Sequence, residues 1–146
     1  MKLKKYMIAA ALMVAGLLPM TVSAKGSAQP RVYMFGFAAS FNDTIVHFTE
    51  IHPVDSAWID KKNHFLLGRE SYSLQMRQYL ANHDMPFRTT VVFYDEKLSK
   101  LQKKYLKMKR LYMGDKKRTT HNDVRFIPTS DFKFKTVNMG FTTEEE

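Results

Sequence analysis

The apolar residues of this chain fall into short runs that match the two periods of secondary structure. Residues 31–39 (RVYMFGFAA) are almost continuously apolar and aromatic, a pattern typical of a strand covered on both faces. Residues 40–43 carry turn chemistry, and residues 44–51 (TIVHFTEI) are again β-branched and aromatic. The two runs predict a β-hairpin. Pro53 has no amide hydrogen for a ladder, so we expect it to end the second strand.

Two longer segments have the spacing of amphipathic helices. In residues 69–83 the predicted inner face consists of Tyr72, Met76, Tyr79, Leu80 and His83. In residues 96–113 it consists of Leu98, Leu101, Tyr105, Met108 and Tyr112. Gly68 or Ser71 is expected at the start of the first helix, while Asp95 is expected to cap the second and Gly114 to follow its end. Residues 54–60 suit either a short helix or an extended segment, and residues 61–64 suit an exposed turn.

Three further runs predict strands. Residues 88–94 (RTTVVFY) are the clearest, residues 124–127 end at Pro128, and residues 132–137 alternate with period two. The predicted order is β-β-α-β-α-β-β, which indicates an α/β (α+β) mixed-sheet sandwich of about five strands and two main helices. We expect residues 88–127 to form a right-handed parallel crossover with strand 88–94 central. Strand 132–137 should lie at an edge, because its alternate lysines suit water.

The first 24 residues have the three parts of a secretory signal. Lys2, Lys4 and Lys5 form a basic start, residues 7–18 form an apolar run, and small residues precede a predicted cut between Ala24 and Lys25. An uncut anchor is the alternative, but the apolar run is shorter than the roughly 20 residues that a membrane-spanning helix needs. The expected location is therefore periplasmic or extracellular, in a bacterial cell, with no transmembrane segment after cleavage.

Cleavage changes the size and charge of the chain. The whole sequence has 23 Lys and Arg against 14 Asp and Glu, a net charge of +9, and loss of the leader reduces it to +6. The remaining 122 residues suffice for one domain. We expect a flexible lead-in at residues 25–30, a single domain at residues 31–139, and a disordered acidic tail at residues 140–146.

Recognisable catalytic motifs are missing from the sequence. It contains no cysteine, which excludes disulfides, a thiol nucleophile and thiolate metal ligands. It also lacks G-x-S-x-G, both glycine-rich phosphate loops and H-E-x-x-H, so neither a cofactor nor a metal is predicted. His47 and His52 are five residues apart along a strand and should face opposite ways. A small hydrolase whose acids and histidines meet only in the fold stays an alternative, and a non-enzymatic role is favoured.

A run of basic residues is the strongest surface feature. Residues 97–118 contain ten Lys or Arg and one acid, Asp115. The candidates for binding a polyanion or an anionic surface are Lys100, Lys103, Lys104, Lys107 and Arg110. The alternative is a solvated helix face, which lysine also suits. Export argues against nucleic acid, so an anionic surface or envelope partner is the expected polyanion.

Two weaker patterns complete the set of candidate sites. Arg69, Glu70 and Arg77 form a polar patch at a helix start that suits an anionic ligand, or that simply begins the helix. Thr44 and Ser56 each follow an aspartate and precede an aliphatic residue beside a predicted turn, which makes them O-glycosylation candidates, with chance as the alternative.

Three strings give the chain a resemblance beyond single motifs. VYMFGFAASFNDT, DSAWI and KYLKMKR resemble small exported proteins of unassigned function from Bacteroidetes, over most of the mature chain. The resemblance implies a periplasmic or surface location and agrees with the O-glycosylation hypothesis, but it implies no activity. The sequence as a whole predicts an exported, non-enzymatic binding or accessory module, with the polyanion binder and the hydrolase as alternatives.

Overall fold

The computed structural model describes residues 26–28 and 31–140. Within them the elements follow in the order β1 Gly26–Ala28, β2 Arg31–Ala39, β3 Ile45–Thr49, β4 His52–Asp55, β5 Trp58–Asp60, α1 Arg69–Asn82, β6 Thr89–Asp95, α2 Leu98–Met113 and β7 Asp123–Ile127. The signal, with its predicted cut at Ala24 and Lys25, and residues 141–146 of the predicted tail lie outside the described residues. The predicted hairpin and both predicted helices are confirmed.

Strand β2 is the centre of the main sheet. Antiparallel β6 pairs with one of its edges, from Tyr33 to Ala39, while β3 and β4 pair with the other edge. Strand β7 then pairs in parallel with β3. The prediction that strand 88–94 is central is therefore wrong, because β6 is an edge strand among the described residues. The residues of β6 are apolar because a helix covers each of its two faces. This burial does not require a second neighbouring strand.

Strands β6 and β7 run in the same direction, since β6 and β3 are both antiparallel to β2 and β7 is parallel to β3. The predicted parallel orientation across the connecting helix is thus confirmed. The two strands are not neighbours, because β2 and β3 lie between them. Helix α2 therefore crosses one face of the sheet from its β6 edge to its β7 edge.

Strands β3 and β4 are one strand interrupted by a bulge. Phe48 lies opposite Phe37 and His52 lies opposite Met34, so three residues on this strand face two on β2. The Thr49 hydroxyl accepts the Gly36 amide at 2.8 Å inside the bulge. The prediction that Pro53 ends the strand is wrong. An edge strand such as β4 tolerates proline, because its outer amides have no ladder partner.

The helices cover opposite faces of the sheet, which confirms the mixed-sheet α/β sandwich. Alternate residues of β2 point to alternate faces. The α1 side buries Val32, Met34, Ala38, Tyr72, Met76 and Leu80. The α2 side buries Phe35, Phe37, Val46, Phe48 and Leu101, with Tyr105, Met108 and Tyr112 packed against them. The near-continuous apolar run in β2 is thus explained by a strand that contributes to both cores.

The lead-in and the cap of the second helix differ from the predictions, whereas Gly68 at the start of the first helix is as predicted. Residues 26–28, inside the predicted flexible lead-in, pair antiparallel with β5, since backbone pairing does not require apolar side chains. Gly68 precedes α1 with a left-handed φ of 72°. Helix α2 begins at Leu98 after Lys97, so Asp95 is not its N-cap. The Asp95 carboxylate instead accepts the Lys97 amide at 2.8 Å in the preceding turn.

The prediction of an edge strand at 132–137 is wrong, because this segment pairs with no strand among residues 26–28 and 31–140. Phe132 and Phe134 are nonetheless buried, while Lys133 and Lys135 are exposed, as the alternation predicted. We call residues 132–137 the C-terminal strap. The strap packs across α1 and β4. The Phe132 amide donates to the Pro128 carbonyl, and the amides of Phe134, Lys135 and Val137 donate to side chains rather than to a neighbouring strand.

Three side chains hold the strap. Gln75 on α1 donates to the Lys135 carbonyl and accepts the Lys135 amide, both at 2.8 Å. The Tyr72 hydroxyl accepts the Val137 amide at 3.0 Å. His52 on β4 accepts the Phe134 amide through Nε2 at 2.9 Å. A strand-like alternation is therefore satisfied without a β-ladder.

We expect Gly36→Ala to lower the free energy of unfolding by about 1–3 kcal/mol, because overpacking a tight core forces its neighbours to move. A Cβ on Gly36 would clash with the Met76 sulfur and lie 3.0 Å from the Phe134 ring. Urea unfolding measures the loss. Gly140→Ala is the matched control, since its Cβ meets the exposed Asn138 side chain. Equal stability of the two variants would contradict tight packing at Gly36.

Candidate functional site

Both helices begin at the carboxyl end of β6. Arg69, the first residue of α1, donates to the Val92 carbonyl at 2.8 Å. One turn later, Ser73 and Thr90 exchange two hydrogen bonds through their hydroxyls and carbonyls, so α1 runs antiparallel to β6. Helix α2 starts just after β6 ends at Asp95. The positive ends of two helix dipoles thus lie at one end of one strand.

A cleft lies at this end of the molecule. It consists of two adjoining cavities of about 270 and 310 Å³ that share His64, Tyr94 and Asp95. The other residues that line it are Ile59, Asn63, Phe65, Arg69, Phe93, Glu96, Lys97, Lys100 and Lys104. We call this site the basic cleft. The Tyr94 hydroxyl donates to the His64 carbonyl at 3.1 Å and so ties the 61–64 turn to β6.

Two cations enter the basic cleft from opposite layers of the sandwich. The Arg69 guanidinium lies 5.7 Å from the centre of the Tyr94 ring, on the α1 side. The Lys104 ammonium lies 5.2 Å from the centre of the Phe93 ring, on the α2 side. These distances suit cation–π attraction, which holds each charge near the edge strand. Consecutive residues of β6 therefore position cations from two different helices.

The charges of the basic cleft are mixed, with an excess of cations. Arg69, Lys97, Lys100 and Lys104 stand against the two carboxylates Asp95 and Glu96. Asp95 already accepts the Lys97 amide, which occupies one of its oxygens. The cleft therefore favours an anionic group, and its carboxylates restrict where that group can lie.

The structure separates the predicted basic residues of α2 into two sets. Lys100 and Lys104 line the basic cleft. Lys103, Lys107 and Arg110 are exposed on the helix outside the basic cleft. In the described ranges, none of the five forms an ion pair with a carboxylate. The helix face is thus available to an external anion along its whole length.

The predicted ligand patch is divided in the same way. Arg69 lines the basic cleft, whereas Glu70 and Arg77 are exposed on α1 outside it. The contributions of His64 and Tyr94 were missed by the sequence analysis. The exposed turn at 61–64 was foreseen, but no periodic signal indicates that it meets the end of β6.

Two histidines, His52 and His47, are buried, and burial lowers the pKa of each. Burial lowers the pKa of His52, whose Nδ1 lies 3.0 Å from the Glu50 carbonyl and whose Nε2 accepts the Phe134 amide. Burial, with Arg88 and Arg125 nearby, lowers the pKa of His47, and its Nδ1 has no hydrogen-bond partner among the described residues. Among the described residues no hydrogen bond joins a histidine ring to a carboxylate, and the hydrolase alternative stays a prediction.

The described residues also contain no group of three or more histidine or carboxylate side chains placed to hold a metal ion. Neither described helix is long and apolar enough to cross a membrane. Thr44 and Ser56, the predicted O-glycosylation positions, are both exposed in turns that flank strands. A sugar on either hydroxyl would extend into solvent, and its presence stays a prediction. No protein-family model, curated protein or solved structure matches the chain.

Proposed function

We propose that this chain is an exported, non-enzymatic binding module whose ligand carries an anionic group that enters the basic cleft. The observation that carries the proposal is the convergence of Arg69 and Lys104, from two helices, on adjacent rings of one edge strand. Two helix N-termini at the same place add to the positive potential. A single basic helix face would give no such concave arrangement.

The size and chemistry of the cleft favour a small anionic group on a larger molecule. Each cavity is near the lower limit of about 300 Å³ for ligand sites. Phosphate and sulfate esters suit guanidinium and ammonium donors. The exposed lysines further along α2 would then meet neighbouring charges of the same polymer or surface, which fits the anionic envelope partner that the sequence suggests.

Export is part of the proposal and rests on the basic, apolar and small-residue segments of residues 1–24. The intact mass of the protein recovered from its native host tests this directly. The mass of a chain whose first residue is Lys25 supports export, and added hexose masses would show that sugars are attached. Full-length polypeptide in the cytosol would contradict it.

Pyrophosphate, a small soluble probe, tests the cleft by isothermal titration calorimetry. We expect the double charge reversal Arg69→Glu with Lys104→Glu to weaken binding about 10- to 100-fold, because two charge-assisted contacts are lost. The matched control is Lys116→Glu with Lys117→Glu, which makes the same change in net charge beyond the far end of α2. The control should bind as the wild type does.

Two outcomes would contradict the proposed site. Wild-type protein that binds no pyrophosphate lacks an anion site in the cleft. Equal weakening in the cleft variant and in the control would mean that binding follows net charge rather than the geometry of the cleft.

A further inference from the structure

Two phenylalanines project into solvent at the end of the molecule opposite the basic cleft. Phe41 is 104% exposed and Phe87 is 90% exposed. In the pairing of β2 with β6, Ala39 lies opposite Thr89. Phe41 is two residues beyond the first and Phe87 two residues before the second, so both rings leave the sheet at the same end. Two almost fully exposed aromatic rings thus lie at one end of the fold.

A partly buried ion pair joins the segments that carry the two rings. Arg88, whose side chain is only 5% exposed, donates to both oxygens of Asp43 and to the Ile45 carbonyl at 3.2 Å. Asp43 also accepts the Ile45 amide at 3.0 Å. Phe87 has a left-handed φ of 61°, which a bulky residue rarely adopts. The Arg88–Asp43 pair therefore joins the turn that carries Phe41 to the segment that carries Phe87, and the backbone at Phe87 is strained.

Basic residues flank the projecting rings. The Asp123 amide donates to the Thr44 carbonyl at 2.9 Å, which brings the 115–122 loop beside the Phe41 turn. This loop exposes Lys116, Lys117 and Arg118. The nearby acids Asp43 and Asp123 are in ion pairs with Arg88 and Arg125, and Asp115 accepts amides of its own loop. Exposed Asp84 and Asp115 are the remaining counter-charges among the described residues here.

We propose that Phe41, Phe87 and the 116–118 basic loop form a docking surface for an anionic lipid bilayer. Aromatic side chains partition into the membrane interface, and adjacent lysines attract anionic headgroups. The two rings project from polar turns and do not form a flat apolar patch, so they fit a fluid interface better than a protein partner of standard interface size. Docking in this way would turn the basic cleft away from the bilayer.

Vesicle co-sedimentation tests the surface, using protein that starts at Lys25, since every described element lies beyond that residue. Vesicles of phosphatidylcholine with one quarter phosphatidylglycerol are compared with pure phosphatidylcholine. We expect Phe41→Ser with Phe87→Ser to lower partitioning onto the anionic vesicles by about tenfold or more, because two aromatic rings no longer leave water for the membrane interface. Lys116→Glu with Lys117→Glu should also bind the anionic vesicles weakly. Arg69→Glu with Lys104→Glu should bind them as the wild type does.

Two controls separate docking from misfolding. Because both rings are exposed, the double serine variant should keep the wild-type melting temperature and its pyrophosphate binding. The fluorescence maximum of Phe41→Trp should lie at a shorter wavelength with anionic vesicles than in buffer.

Three results would overturn the inference while leaving the basic cleft untouched. In the first, wild-type protein fails to sediment with anionic vesicles. In the second, the double serine variant sediments as well as the wild type. In the third, wild-type protein forms a dimer in sedimentation equilibrium that the serine variant does not form, which assigns the surface to a second copy of the chain.

Discussion

Replacing Phe134 by alanine is expected to lower the free energy of unfolding by about 3–5 kcal/mol, the usual loss for a large aromatic in a packed core. Phe134 is only 5% exposed although it lies outside every helix and strand. Its ring stacks on His52 at 5.5 Å, meets Tyr72 at 6.1 Å and meets Phe132 at 5.0 Å. The C-terminal strap is thus a structural part of the α1 layer, and chemical denaturation measures its contribution.

Phe41→Ala is the matched control for this prediction, because it removes the same atoms from a ring that is already in water. It should change stability by no more than about 0.5 kcal/mol. Hydrogen exchange gives an independent reading, since loss of Phe134 should expose the amides of Lys135 and Val137, which bond Gln75 and Tyr72. A cost for Phe134→Ala as small as that of the control would show that the strap contributes nothing to the core.

The strap also shows what periodicity can and cannot predict. The alternation in residues 132–137 correctly indicated that Phe132 and Phe134 are buried and that the lysines between them are exposed. Period two reports which side chains face inward, but it does not identify the partner of the backbone. Gln75, Tyr72 and His52 supply that partner from distant parts of the chain. The hydrogen bonds of the strap could therefore not be predicted from its own residues.

The helices were predictable because their signals are local. Tyr72, Met76 and Leu80 repeat at helical spacing and are all buried against the sheet. The position of β6 was not predictable, because an apolar strand looks the same at the centre or at an edge when helices cover both of its faces. The number of strand neighbours depends on β2, more than 50 residues earlier in the chain.

The candidate site was also predictable only in its local features. The lysines of α2 and the cation at the start of α1 were both visible in the sequence, as two separate hypotheses. That Arg69 and Lys104 serve one cleft follows from β6, whose adjacent residues Tyr94 and Phe93 face opposite layers. Spacing within either helix does not contain this information. Convergence of the two patches is thus a property of the tertiary structure.

The second large effect expected is a loss of stability in mild acid. The Glu50 carbonyl can only accept, so Nδ1 of His52 donates to it and Nε2 must be unprotonated to accept the Phe134 amide. Protonation would place two donors face to face and release the strap. Burial lowers the pKa of His52, nearby Lys133 adds to the effect, and the Glu50 carbonyl and carboxylate oppose it.

His47 contributes in the same direction, since burial and the neighbouring Arg88 and Arg125 lower its pKa against the opposing charges of Asp123 and Asp43. Below about pH 6.5, the ordinary histidine pKa, the unfolded chain binds protons that the folded chain does not. Stability is therefore complete above this pH and falls as the pH drops toward the lowered pKa values of the folded protein. With two histidines the slope can approach, and not exceed, about 2.7 kcal/mol per pH unit.

Urea unfolding from about pH 7.5 down to 5, the range in which histidine changes charge, measures this loss, and hydrogen exchange at the Phe134 amide localises it. His52→Gln removes one titrating ring and keeps a side-chain acceptor, so its stability should fall less steeply with acid, and His47→Gln with His52→Gln should be nearly flat over the same range. Because the carboxyl of Asp43 has its pKa lowered by the hydrogen bond from Arg88, a further loss is expected below about pH 3.8 in every variant. A double variant as acid-sensitive as the wild type would show that the two buried rings are not the groups that take up the protons.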